Sequence, residues 1–544
     1  MPKVTITDSP EWQHLREQAA TMSGSGKHLR HLLSDPDRLA SFSITGGGVF
    51  FDFSRQRVDR PTMSLLYRLA EKASLLDRFQ KMAAGAKVNI TEKRAALHTA
   101  ARNLGESPVY VDGEDIMPPI RRVRTEIASF VRRVHNGELV GSTGKRFAHV
   151  VVIGIGGSYL GTEFVATALR AYADKGIQLH FLANVDIHNF GQIVDAVDPA
   201  ATLWIVISKS YTTAETMANA GQVAAFLKSA GLEPSRHMVA VTSKGSPGDR
   251  SDTDLLQSFH MFDFIGGRYS VTSAVGGLPL SLYLGYDRFE AFLQGAEDMD
   301  RHTLQAPLQT NLPLTAALID VWNNNFLGYD ARAIIPYAAP LCKLAPHVQQ
   351  LNMESNGKSV DIHGQPVKES TGVIIFGEPG TNAQHSFFQL AHQGRPFPID
   401  FIGVLRPQYT AYDHLSLGVT NHQELWANLL SQPMALALGR DHDDPARRFA
   451  GNRPSSTLLL EDLGPENIGR LLSFFEARTV LEGFLWDINP FDQYGVELGK
   501  ALAKDIRAVM AAYGRGDQDI PPHDSPIVQY YLNVLFSKNK NVAK

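Results

Sequence analysis

The chain has 544 residues, 44% of them hydrophobic and 20% charged, and a net charge of −4. That length holds two or three domains, and the balance of apolar and charged residues is that of a soluble globular protein. The lack of excess positive charge argues against nucleic acid or a membrane surface as a partner, and no run of about 18 apolar residues suggests a membrane span. The single cysteine, Cys342, excludes an internal disulfide and fits a reducing cytoplasm, and Met1–Asp8 lacks the apolar stretch of a signal peptide.

Residues 1 to about 118 read as mostly helical and irregular, with helical apolar spacing at 64–70 and 75–79, and Met117-Pro118-Pro119 as punctuation. From there to about residue 285, apolar strands alternate with helices. Strands are predicted at Val150–Ile153, Leu179–Leu182, Leu203–Ile207 and Met238–Thr242, and helices at Gly161–Ala173 and Ala214–Ser229. The alternation predicts a mainly parallel sheet covered on both faces. A second alternating region runs from about 310 to 505. Its strands are Ala333–Ile335, Val373–Phe376, Ile399–Val404 and Thr457–Leu460, and its helices Leu341–Met353, Ala383–Gln393, Ile468–Leu481 and Gln493–Ala512. The fold class is therefore α/β with two layered domains, although no repeat is visible at the level of residues. The last thirty residues, with Pro521-Pro522 and the ending Lys538-Asn539-Lys540, read as an extended arm.

Two of the strands end in sequences suited to a phosphate. Gly154-Ile155-Gly156-Gly157-Ser158 follows the first strand, and Ser208-Lys209-Ser210-Tyr211-Thr212-Thr213 follows the third. A strand-to-helix turn of small and hydroxyl residues offers free backbone N–H groups and the positive end of a helix dipole to a dianion. Thr212 with Glu215 has the spacing of a capping box, which would feed the second loop straight into a helix. A dinucleotide fails as the ligand: position 159 is tyrosine where a third glycine is required, and the second strand runs into Asn184 rather than an acidic residue. A P-loop also fails, because residue 139 is leucine.

Four further segments carry groups of chemical interest. Gly266-Gly267-Arg268-Tyr269-Ser270 sets an always-charged planar donor beside two glycines, which suits an oxyanion. Glu354 precedes the helix stop Asn356-Gly357, so the negative dipole end would raise its pKa, as a base toward a carbon acid requires. Thr381 and Gln384 have capping-box spacing, which would put His385 in a first helical turn as neutral imidazole. Asn489-Pro490 looks like a helix start, with Gln493 and Lys500 seven apart on one face. Taken singly, the arginine, the glutamate and the Gln493–Lys500 face are ordinarily surface features, and the histidine ordinarily structural. The histidines show no metal-ligand spacing, so no metal is expected.

Together these six segments resemble the glucose-6-phosphate isomerase family, in its order and at its approximate spacing over most of the chain. The resemblance implies two sugar-isomerase-type α/β/α domains, at 119–290 and 291–512, with a helical segment 1–118 on the larger and an arm 513–544. It implies a phosphate held by Gly157, Ser158, Ser208, Ser210 and Thr213, with Lys209 and Gln493 alongside. Glu354 would be the isomerisation base, His385 and Lys500 the ring-opening pair, and Arg268 the oxyanion partner. A homodimer is implied, with the histidine supplied by the neighbouring subunit and the arm embracing the partner. The substrate would be a hexose phosphate, glucose 6-phosphate becoming fructose 6-phosphate, with no cofactor because hydrogen moves as a proton. The alternatives are a non-catalytic sugar-phosphate sensor and, less well matched, a nicotinamide dehydrogenase. The chain departs from the family pattern at Thr272, where an aromatic is common, at Ser210-Tyr211, where threonine and phenylalanine are common, and in a short Met261–Ile265 segment.

Overall fold

The computed structural model describes residues 6–517 and 520–539, so Met1–Thr5 and Lys540 lie outside the described residues. Two larger sheets organise the chain. In chain order their strands are β1 (Ser43–Gly46), β2 (Val49–Asp52), β3 (His149–Ile153), β4 (Gln178–Leu182), β5 (Thr202–Ile207), β6 (Met238–Ser243), β7 (Gln257–Met261), β8 (Ala331–Pro336), β9 (Ile374–Phe376), β10 (Ile399–Val404) and β11 (Ser455–Leu460). The first sheet has the order β4-β3-β5-β6-β7 and is parallel throughout. The second has the order β1-β2-β11-β10-β8-β9, parallel from β11 to β9, with an antiparallel hairpin added at the β11 edge.

The continuous apolar runs of β3, β5 and β6 follow from their position, since a strand covered on both faces has no solvent side to alternate with. Val150, Val152, Leu203, Ile205 and Val241 face one way, against Ile127 and Phe130 of the helix Met117–His135 and Leu278 of the helix Ala274–Leu284. Val151, Ile153, Trp204 and Val206 face the other, against Phe190, Ile193, Val223 and Leu227. The predicted helix Ala214–Ser229 has those bounds. Two expectations shift here. The strand β7 was not foreseen, because its mixed burial lacks a continuous apolar signal. Met117-Pro118-Pro119 opens a 19-residue helix instead of marking only a break, since proline is tolerated in a first turn.

The second sheet departs further from the sequence reading. The supposedly helical and irregular N-terminal region supplies the hairpin β1-β2, with Thr457 opposite Asp52 and Leu458 opposite Phe51. Ile334, Ile402, Leu458 and Leu460 pack toward the helix Pro465–Leu485, and Ala333, Ile335 and Phe401 pack toward Phe388 and Leu429. The helix Pro465–Leu485 is buried almost all round, and it buries charge as well: Glu476, Arg478 and Glu482 are each 2% exposed or less.

The chain divides into two compact units, the first ending at Phe491 and the second beginning at Asp492. In the second, the stretch read as an extended arm contains the helix Pro526–Asn539. That helix meets Glu497–Arg515 through a Tyr513–Phe536 stack, with ring centroids 4.6 Å apart. No helix among the described residues is long and apolar enough to cross a membrane.

Candidate active site

Strand order locates the site before any side chain is considered. From β3 the chain crosses to β4 on one side, then returns past β3 to β5 on the other. The crevice between the carboxyl ends of β3 and β5 is thus a topological switch point, where connections leave in opposite directions and a ligand finds room. Both hydroxyl- and glycine-rich loops spring from it. The loop after β5 closes on itself: Tyr211 N–H donates to the Ser208 carbonyl at 3.2 Å, and Tyr211 adopts φ +54°. Ser208 Oγ donates to Thr213 Oγ1 at 3.3 Å, and Ser210 and Thr212 hydroxyls are 2.6 Å apart. These hydroxyls bond to one another rather than capping the helix. The helix Ala214–Ser229 has Thr213 as its N-cap residue and no side-chain cap, so the predicted capping box from Thr212 does not form. Lys209 Nζ donates to the Asp263 carbonyl at 2.9 Å and lies 3.4 Å from the Asp263 carboxylate. Burial lowers its pKa in spite of that partner.

The loop after β3 ties the switch point to the rest. A Cβ on Gly154 would sit 2.8 Å from Ser158 Cβ and 3.5 Å from Ile207 Cβ, at the start of the Ser208 loop. A Cβ on Gly157 would sit 2.2 Å from the carbonyl carbon of Gly267, so the two glycine-rich segments touch backbone to backbone. Ser270 Oγ adds a bond to the Gly157 carbonyl at 3.2 Å. Arg268 follows immediately and is 2% exposed. Its Nε donates to Ser355 Oγ at 2.6 Å, its Nη2 to the Pro490 carbonyl at 2.7 Å, and its Nη1 lies 3.3 Å from Glu354 Oε2. The guanidinium is thereby fixed on two edges, while the Glu354 side chain keeps 21% exposure.

Glu354 ends a π-helical turn, Gln349–Glu354, that continues the short helix Leu344–Val348, and helical backbone persists through Asn356. The predicted single helix Leu341–Met353 is therefore broken into pieces of different pitch. Sequence reasoning overlooked Gln350, which donates to Glu354 Oε2 at 3.1 Å and lies 3.0 Å from a Cβ built on Gly156. Its position four residues before Glu354 was the available signal. It also overlooked Tyr269, whose hydroxyl is 2.9 Å from Ser355 Oγ and whose pKa burial raises to about 12.

Three local expectations need correction. His385 does not occupy a first helical turn: it is the C-cap of the five-residue helix Gly380–Gln384, which lacks a side-chain cap, and it is exposed. Asn489-Pro490 does not begin a helix, since Asn489 Oδ1 accepts from Phe491 N–H in a tight turn. Gln493 precedes a 3₁₀ turn at Tyr494–Val496, while Lys500 is exposed on the helix Glu497–Arg515, so the two do not share one helix face. Both belong to the second unit, and Arg268, Glu354, Gly157, Ser158 and the Ser208–Thr213 loop to the first.

Comparison with known proteins places this arrangement. The phosphoglucose isomerase family model matches residues 52–525. A glucose-6-phosphate isomerase of Desulfosudis oleivorans is 63% identical, covering 98% of this chain and 99% of its own. A cytosolic glucose-6-phosphate isomerase of Spinacia oleracea is 44% identical over 94% of this chain and 93% of its own. The crystal structure of a glucose-6-phosphate isomerase from Chlamydia trachomatis superposes with a TM-score of 0.89 at 36% identity, covering 99% of this chain and all of that one. By fold and by relatives, the chain is an enzyme of the aldose–ketose isomerase class. It belongs to the phosphoglucose isomerase family.

Proposed function

We propose that the chain interconverts glucose 6-phosphate and fructose 6-phosphate with Glu354 as the proton carrier. The observation that carries this reading is the Glu354–Arg268 pair, a part-exposed carboxylate 3.3 Å from a buried, doubly anchored guanidinium. The phosphate docks on Ser208, Ser210, Thr213, Gly157 and Ser158, with Lys209 and Gln493 alongside. Its binding energy holds the reacting carbons in register. His385 and Lys500 keep the ring-opening roles that the family resemblance gives them, exchanging a proton between the ring oxygen and the C1 hydroxyl. Glu354 then removes the C2 proton, and the electron pair flows toward the C1 carbonyl oxygen to form a cis-enediolate. Arg268 stabilises the negative oxygen at fixed geometry, without reorganising as the charge develops. A proton passes from the C2 hydroxyl to the C1 oxygen, Glu354 returns its own proton at C1, and the ketose results with no net redox change.

In this reading the enzyme acts as a homodimer, His385 being lent to the site of the neighbouring subunit, and works in the cytoplasm, as the name of the spinach relative suggests for that protein. The sensor alternative finds no support in the family model or in relatives matched over nearly their whole length. A coupled assay for fructose 6-phosphate conversion tests the activity directly. Purified protein that binds hexose phosphates without turning them over would refute it.

A further inference from the structure

Asn352 and Asn356 stand two residues to either side of Glu354, hence on the opposite face of its turn. Both side-chain amides donate to one oxygen, Oε2 of Glu482, at 2.6 and 2.8 Å. Thr479 reinforces them, its Oγ1 3.3 Å from Asn352 Nδ2 and its carbonyl 3.1 Å from Asn356 Nδ2. We infer that Glu482 is a positioning residue which, through Asn352 and Asn356, fixes the turn that aims Glu354 at Arg268.

The π-helical turn explains why such a clamp is needed. Such turns are rare, appearing mostly as single-turn bulges in helices and often at functional sites, and an uncommon local conformation persists where its surroundings over-determine it. Glu482 supplies that constraint from an immovable place. It lies in the buried helix Pro465–Leu485 with Arg332 Nη1 at 3.4 Å and Arg478 Nε at 3.8 Å from Oε1. Arg478 in turn binds Asp320 Oδ1 at 2.6 Å and Asp400 Oδ2 at 2.8 Å, and Arg332 pairs with Asp320. Two guanidinium groups thus face three carboxyl groups. A hydrogen bond joins Glu482 to Asp320, and burial together with the Asp320 charge pushes the Glu482 pKa well above the carboxylate range. One proton between those two carboxyls brings the buried group to zero net charge. It also leaves Glu482 Oε2 as a carbonyl-like acceptor for both asparagines.

This arrangement predicts an unusual pattern of tolerance. Glutamine at 482 keeps a carbonyl for the two amides and an N–H for Asp320, whereas leucine keeps neither. The inference rests on Glu354 being the base, so Glu354→Gln is the reference. Glu482→Gln is expected to retain kcat within about threefold. Glu482→Leu and Asn352→Leu are expected to lower kcat roughly 10- to 100-fold, since a misplacement of about 1 Å costs on that order. Inhibition by 6-phosphogluconate should change by less than about twofold in all of them. Should Glu482→Leu fail to fold, Asn352→Leu carries the same test. Wild-type kcat in Asn352→Leu overturns the inference, as does Glu482→Gln falling as far as Glu482→Leu, or inhibitor affinity falling in step with kcat. If Glu354→Gln itself turns over normally, the assignment of the base has failed instead.

Discussion

The five-stranded sheet buries mainly apolar side chains, whereas the six-stranded sheet buries charge. Along β3, β5 and β6 the buried side chains are almost entirely aliphatic, and what is polar sits at the strand ends, on loops that expose backbone N–H groups. In the second sheet, Arg332 and Asp400 lie within strands, and Asp320, Arg478 and Glu482 come from helices packed on them. Under the proposed mechanism, the difference follows from what each half has to do. An anion can be held by a turn that a strand and the following helix create, so phosphate binding in the first half would draw mainly on small residues in the right place. A carboxylate that must stay aimed at a carbon needs rigid support, and a buried charged network gives directional support that apolar packing does not.

If the halves divide binding from proton transfer in this way, substitutions should separate the two. The largest effect is expected at Glu354. Glu354→Gln should lose roughly 10²- to 10⁴-fold in kcat and keep its affinity for 6-phosphogluconate, because the neutral amide preserves shape and removes the base. A near-normal kcat would remove Glu354 from the mechanism. In the other half, Ser208→Ala should weaken the same inhibitor about 10- to 100-fold while kcat at saturation changes little, a hydrogen bond to a charged group being worth about 1.5–3 kcal/mol. Unchanged inhibitor affinity would mean that the phosphate binds elsewhere.

Gly157→Ala blurs the division on purpose. Its added methyl would overlap the Gly267 backbone, so the loops must separate and both affinity and kcat should fall, with a lower melting temperature. An alanine variant that melts and turns over like the wild type would show that the contact does not couple the halves. The smallest effect concerns the seam itself, where His347 stacks on Phe164 with centroids 5.7 Å apart. Burial lowers its pKa to about 4, so the fold favours the neutral ring. The stability this contributes is complete above the unfolded value near 6.5 and is lost as pH falls toward 4, about 2 kcal/mol by pH 5. The acid-side fall in melting temperature should be shallower in His347→Phe. Parallel curves for the two proteins would rule out His347 as its source.

The central strands and the two loops at the switch point were legible because parallel strands buried on two faces write a continuous apolar run, and the loops follow directly from it. The hairpin β1-β2 was not, since Ser43–Gly46 and Val49–Asp52 are short and gain their partner from β11, far along the chain. The residues Arg268 and Glu354 could be named from local motifs, yet their meeting depends on Ser355 and the Pro490 carbonyl, which no local pattern announces. Capping boxes misled twice, at Thr212 and Thr381, because hydroxyls in a loop have neighbours other than the helix end. The charged cluster around Glu482 left no trace in composition, where its members look like surface residues.

The pairing of Asp52 with Thr457 also sets an order of assembly. About four hundred residues separate the hairpin from the edge it completes, so on the ribosome β1 and β2 emerge early and wait until nearly the whole polypeptide has been made. The loop that must close is long, and such pairings form late and slowly. Until then Phe51 and Phe53 lack the cover that the completed sheet gives them, and uncovered apolar surface of this kind is prone to aggregate.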